Sequence, residues 1–203
     1  MPENLKFYMK NKKDLITIEE LTNSEFPNKR CLILIDANFL LVPIQFGVDI
    51  FSEIDNLDLE SGRKQLLIPS EVLDELERKS IKEPRVRYKR EYKRSIELLK
   101  MKLEEQSDIE ANYSLSSDVQ QISNRLQPKN LLILNDSRIE KNSLPTLPVD
   151  DYIVKTALTL KSFGFSIFIA TNDKLLRKKA HQRQIPTIFL RQGKKLSVSG
   201  RIK

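Results

Sequence analysis

The side chains in this chain best suited to chemistry are carboxylates: Asp36, Glu75, Asp150, Asp151 and Asp173, with Asn38 two residues past the first of them. Gathering several carboxylates in one cleft is electrostatically costly, because each raises the pKa of its neighbours. A hard divalent cation removes that cost. Mg2+ or Mn2+ takes oxygen ligands, keeps several waters and leaves positions open for phosphate oxygens. A metal so held lowers the pKa of a bound water and stabilises charge developing on phosphorus, and a second metal can assist the leaving oxygen. Hydrolysis of a phosphodiester is the chemistry such a set suits.

Taken one at a time, these acids have simpler explanations. Asp36, Asp150 and Asp173 each precede a helix and could be N-caps, and Glu75 could be a solvated helix residue between Asp74 and Glu77. Their joint occurrence at equivalent positions along the chain favours a shared site. Other chemistries are hard to build from this composition. The single cysteine, Cys31, forms no intramolecular disulfide and no cysteine-rich zinc site. The single histidine, His181, lies among lysine, arginine and glutamine, a poor setting for the base of a serine or cysteine nucleophile. With 5 glycines scattered along the chain, no glycine-rich phosphate loop follows the first strand. An aspartyl-phosphate enzyme would carry a second Asp where Asn38 stands.

Charge is distributed unevenly. Residues 77–102 hold eleven Lys/Arg and four acids, and residues 174–203 hold ten Lys/Arg and no acid; against a total of +7 these stretches carry +7 and +10, leaving −10 for the rest. Basic flanks around an acidic remainder suit a protein that binds a polyanion and yet keeps carboxylates at its centre. Solvated helix faces and a loose tail are the plainer explanation of either lysine run. The candidate polyanion contacts are Arg85, Arg87, Lys89, Arg90, Lys93 and Arg94 in the first stretch and Lys174, Arg177, Lys178 and Lys179 in the second. Tyr88, Tyr92 and Tyr113 could stack on bases or equally pack on their own helix.

The elements that must position the acids follow from periodicity. Cys31–Asp36 (CLILID) is a short apolar run, as a buried parallel strand would be. Val48, Phe51, Ile54 and Leu57 mark an amphipathic helix closed by Ser61 and Gly62, and residues 66–68 form a second strand. Pro69-Ser70 then opens a helix to about Lys79 with Ser70 as N-cap, and Pro84 begins a longer one to about Glu105 with Ile96, Leu99 and Leu103 as its apolar stripe. Ser117 can cap a helix ending near Leu126; Leu131–Leu134 is the third strand, and 135–148 a loop. Asp150 begins a helix ended by Gly164, residues 166–171 form the fourth strand, Asp173 to Gln182 a helix, and Pro186–Leu190 the fifth strand. Such alternation implies an α/β fold, three layers with a central, mainly parallel sheet of four to five strands. Sites in such sheets lie at the carboxyl ends of the strands near a switch point, which is where these acids fall.

Residues 1–28 read as a polar extension with a short helix near Thr17–Thr22, residues 29–191 as one domain, and 192–203 as a basic tail. Mean hydropathy is −0.41, and no apolar run approaches the ~18 residues of a membrane span, so no membrane association is expected. The first residues lack a secretory signal, so a cytoplasmic location is expected. Association of two copies is left open.

Over about residues 29–191 the chain resembles the PIN-domain nucleases. The resemblance lies in Ile35-Asp36-Ala37-Asn38-Phe39-Leu40, the Ile-Pro-Ser turn leading to Glu75-Leu76, Asp150-Asp151-Tyr152-Ile153 through Ala157, and Ala170-Thr171-Asn172-Asp173-Lys174 with Leu176-Arg177. It implies that Asp36, Glu75, Asp150 and Asp173 coordinate one or two Mg2+ or Mn2+ ions, with Asp151 as substitute or second ligand. Asn38 and Thr171 would brace them by hydrogen bonds, and Asn172 is carried with that motif. The double Asp and basic carboxyl end look most like archaeal relatives of the PIN proteins that process ribosomal RNA. The implied activity is endoribonucleolytic, on ribosomal precursor or other structured RNA with single-stranded regions. Two other readings are an inactive PIN-fold RNA-binding factor of ribosome assembly and a VapC-like toxin ribonuclease. The stretch from Pro84 to Pro148 is longer than in compact toxin-type members.

Overall fold

The chain order opens with β1 (Leu15–Ile16), α1 (Ile18–Thr22), β2 (Arg30–Ile35), α2 (Ala37–Leu40), α3 (Val42–Phe46) and α4 (Ile50–Asp55). It continues with β3 (Arg63–Pro69), α5 (Ser70–Lys82), α6 (Val86–Ser114) and β4 (Leu131–Leu134). The last third holds α7 (Val149–Ser162), β5 (Ser166–Ala170), α8 (Lys174–Gln182), β6 (Thr187–Arg191) and β7 (Lys195–Ser199). The computed structural model describes residues 14–23, 30–59, 63–114, 130–135, 147–192 and 195–200, with backbone alone over 107–114. The expected helix of 117–126 and most of the expected loop of 135–148 lie outside the described residues, as do Ser61, Gly62 and the side chain of Tyr113.

One sheet runs β1-β4-β3-β2-β5-β6-β7, parallel throughout except for the antiparallel β6–β7 pair. Helices flank it, giving the α/β layering that the alternation implied. Its centre is β2, buried from Cys31 to Ile35 because strands pair with it on both edges and helices cover its faces. The sheet is wider than the four to five strands expected. Leu15–Ile16, read as part of an extension, pairs with Ile133 and Leu134 at one edge, and Ile18 and Leu21 of α1 enter the core. Lys195–Ser199, read as tail, forms the other edge against Thr187–Arg191.

Helix ends differ in detail from expectation, for local reasons. Ser70 lies inside α5, with Pro69 at the cap position and no side-chain cap; its hydroxyl donates to Glu71 Oε2 at 3.2 Å. Helix α6 runs on to Ser114 rather than about Glu105. Gly164 ends α7 as expected: with φ 88° it turns left-handed, its N–H reaches the Lys161 carbonyl, and the Phe165 N–H reaches that of Leu160.

The switch point falls between β2 and β5. The chain leaves β2 for β3 on one side and later returns to β5 on the other, so the loops after β2 and β5 diverge and leave a crevice. Ile35 pairs in register with Ala170, which sets Asp36 beside Thr171.

Candidate active site

Asp36 is 2% exposed. It occupies the cap position of α2 but does not cap it; instead Oδ2 accepts a hydrogen bond from the Thr171 hydroxyl at 2.8 Å. The backbone holds this pair in place, with the Asp36 N–H on the Ala170 carbonyl at 3.0 Å and the Thr171 N–H on that of Ile188 at 2.9 Å. Burial pushes the Asp36 carboxyl up to about 6; the Thr171 bond opposes this, and the nearby charges of Glu75 and Asp150 add to it.

Glu75 arrives from α5, which leaves the carboxyl end of β3. Its carboxylate meets Lys79 Nζ at 2.6 Å, one turn on. Asp150 comes from the first turn of α7, and α7 packs against both α5 and α8. Helix α7 begins at Val149 with Pro148 at the cap position, so Asp150 and Asp151 do not cap it. Burial raises the Asp150 pKa, the positive charge of Lys179 opposes the rise, and Asp173, Glu75 and Asp151 reinforce it. Lys179 Nζ sits 2.7 Å from Asp151 Oδ1 and 3.7 Å from Asp150 Oδ2.

Asp173 does cap its helix: Oδ1 accepts from the N–H groups of Leu175 at 2.6 Å and Leu176 at 3.2 Å. Its own N–H donates to the Thr171 hydroxyl at 3.0 Å. Thr171 thus joins Asp36 to the Asp173 turn through two hydrogen bonds. Asn38 is half-buried on α2 and makes no side-chain hydrogen bond among the described residues. Asn172 braces something else, since its Oδ1 accepts from the Leu190 N–H at 2.8 Å and ties down β6.

The acids are therefore electrostatically linked: Asp36 with Glu75 and Asp150, and Asp150 with Glu75, Asp151 and Asp173. They supply only hard carboxylate oxygens, which fits Mg2+ or Mn2+ in donor chemistry. Among the described residues, however, no three acids stand close enough to form a ready-made metal cluster. Lys79 and Lys179 meet the negative charge instead, a role that the sequence reading did not assign to either.

The basic residues also divide. Arg85 pairs with Glu83 at 2.7 Å and covers the Tyr88 ring at 4.2 Å, Arg87 pairs with Glu91 at 3.0 Å, and Lys89 donates to the Ile81 carbonyl at 2.9 Å. Lys179 is engaged as above. Arg90, Lys93, Arg94, Lys174, Arg177 and Lys178 have no ion-pair partner among the described residues. Tyr92 is buried in the core beneath Lys79, so packing rather than base stacking occupies it.

The sheet order and the switch-point crevice are those of a mainly parallel α/β fold, which comparison with known proteins shows to be a PIN fold. Residues 33–111, which include Asp36 and Glu75, match the family described as PIN like domain. The PIN domain endonuclease Utp24 superposes with a TM-score of 0.52 over 85% of this chain and 93% of its own, at 17% identity. No curated protein matches the chain.

Proposed function

We propose that the chain is a metal-dependent endoribonuclease. The observation that carries this reading is Asp36: a buried carboxylate, raised to about 6, placed at the switch point and coupled to Glu75 and Asp150 from two other elements. Burying a lone carboxylate without a function would be costly, and a hydrophobic residue would serve the core better. Glu75, Asp150 and Asp173 would join Asp36 in holding Mg2+ or Mn2+, with Asp151 in reserve, and the ion would supply an activated water and charge stabilisation at phosphorus. Thr171 orients the Asp36 carboxylate. Asp173 presents its second oxygen while the first is fixed on the α8 N–H groups. Lys79 and Lys179 screen the carboxylates from one another and must yield to a bound cation.

RNA as substrate follows from the basic flanks, and ribosomal RNA processing, with archaeal kinship, from the resemblance in the motifs; a cytoplasmic location is the setting proposed for it. A non-catalytic RNA-binding factor is the second reading; the lysine-paired acids favour it specifically, together with the lack, among the described residues, of three acids close enough to share a cation. The deciding experiment is Mn2+-dependent cleavage of RNA by the wild type and by Asp36→Asn. Cleavage lost with binding retained supports the enzyme; equal cleavage by both proteins ends that reading.

A further inference from the structure

Lys174, Arg177, Lys178, His181 and Gln182 line an open groove of about 520 Å3 along the outer face of α8. The opposite face is anchored, with Leu176 and Ala180 buried in the core. His181 is fixed as well, its Nε2 lying 3.0 Å from Thr187 Oγ1 and 3.1 Å from Ser199 Oγ, so β6 and β7 hold the groove's far end. Arg177 is half-buried, its guanidinium lies 4.4 Å from the Phe189 ring centroid, and its buried Nε has no hydrogen-bond partner among the described residues. Arginine stacked in this way is stiffened for an anion.

The electrostatics point outward too. Lys174 faces Arg177 and Lys178 at helical spacings of three and four, and no acid neutralises any of them among the described residues. They crowd the amino-terminal turns of α8, where the helix dipole is already positive. Lys179, the next residue, is turned away to Asp150 and Asp151. One helix thus separates two duties: Asp173 and Lys179 serve the acidic site, and the other cations form a continuous stripe leading from it. From Lys174 to His181 the groove spans ~10 Å, room for about three phosphates of a stacked strand.

We propose that this groove binds the phosphodiester backbone of a single-stranded RNA segment adjoining the linkage presented to Asp36. The position of the cut rests on the nuclease reading; the binding does not. A single line of cations on one helix matches one strand and reads no base, so binding is tolerant of sequence and sensitive to salt.

The test is anisotropy of a fluorescein-labelled short oligouridylate with the full chain in EDTA, across a salt series. The combined Lys174→Ala, Arg177→Ala and Lys178→Ala variant is expected to bind about tenfold or more weakly at low salt. Its slope of log affinity against log salt should fall by about 2, at roughly 0.7 per phosphate on a single strand. Arg177→Lys keeps the slope. The surface pair Lys174→Ala and Lys178→Ala, which spares the half-buried arginine, lowers the slope by about 1.4 and covers the case of a misfolded triple variant. An unchanged slope in these variants, or a loss found only on replacing Arg90, Lys93 and Arg94 of α6, overturns the assignment. Wild-type protein that binds through α8 but leaves RNA intact with Mn2+ removes the nuclease reading and keeps the groove.

Discussion

The Thr171 hydroxyl donates to Asp36 Oδ2 at 2.8 Å while accepting the Asp173 N–H at 3.0 Å, so one buried oxygen fixes two acids that lie far apart in sequence. Thr171→Val removes both bonds while keeping the shape. Leaving a buried carboxylate and an N–H unsatisfied costs about 1–3 kcal/mol, read as a lower midpoint in urea unfolding. Cleavage should fall about 10- to 100-fold, the usual effect of losing a partner that orients a ligand. Thr171→Ser should restore most of both. A Val variant that cleaves like the wild type would show that Asp36 needs no orientation.

Asp36 also makes stability depend on pH. Its folded-state pKa of about 6 lies above the ordinary 3.8, so the folded protein holds this proton more tightly than the unfolded chain. Protonated Asp36 therefore costs nothing at low pH; stability is lost as pH rises from about 4 through 6, by about 3 kcal/mol without metal. Asp36→Asn should accordingly melt higher than wild type at neutral pH in EDTA, with the gap closing near pH 4. If Asp36 holds the cation, the same substitution should abolish cleavage, so that the residue would weaken the fold in the service of the site. Equal melting temperatures at neutral pH would contradict the burial argument.

Lys179 occupies Asp150 and Asp151 through ion pairs, so it would compete with a cation bound there. Lys179→Ala should tighten Mn2+ binding by about 2- to 5-fold in calorimetry, the scale of an exposed ion pair worth up to ~1 kcal/mol. Lys178→Ala, whose side chain faces the groove, should leave Mn2+ affinity unchanged. Weaker binding in the Lys179 variant would mean that the lysine positions the acids rather than displacing metal.

Much of this was legible in the sequence where burial is two-sided. Leu32–Ile35 and Leu131–Leu134 are unbroken apolar runs because sheet neighbours and helices enclose them, and both strands were readable for that reason. Strand β7 was missed although Leu196 and Val198 alternate with polar residues, because lysines around it outweigh a five-residue alternation. Strand β1 has two residues, too few for any period. Within the site, the Glu75–Lys79 pair was available from helical spacing alone. The Lys179 bridge was not, because it depends on how α7 packs on α8, and no local pattern encodes that.

Asp173 answers to both a structural and a chemical explanation, and substitution can separate them. Its Oδ1 caps α8 through Leu175 and Leu176, so Asp173→Ala should cost about 0.5–2 kcal/mol of stability. Asp173→Asn keeps an oxygen for the cap and a similar shape but removes the negative charge. It should unfold within about 0.5 kcal/mol of wild type, since Asn and Asp cap almost equally well. If Asp173 helps to hold the cation, the Asn variant nevertheless loses most Mn2+-dependent cleavage and binds Mn2+ more weakly. Should the Asn variant cleave normally while the Ala variant is merely less stable, Asp173 is a helix cap alone, and the acidic site reduces to Asp36, Glu75 and Asp150.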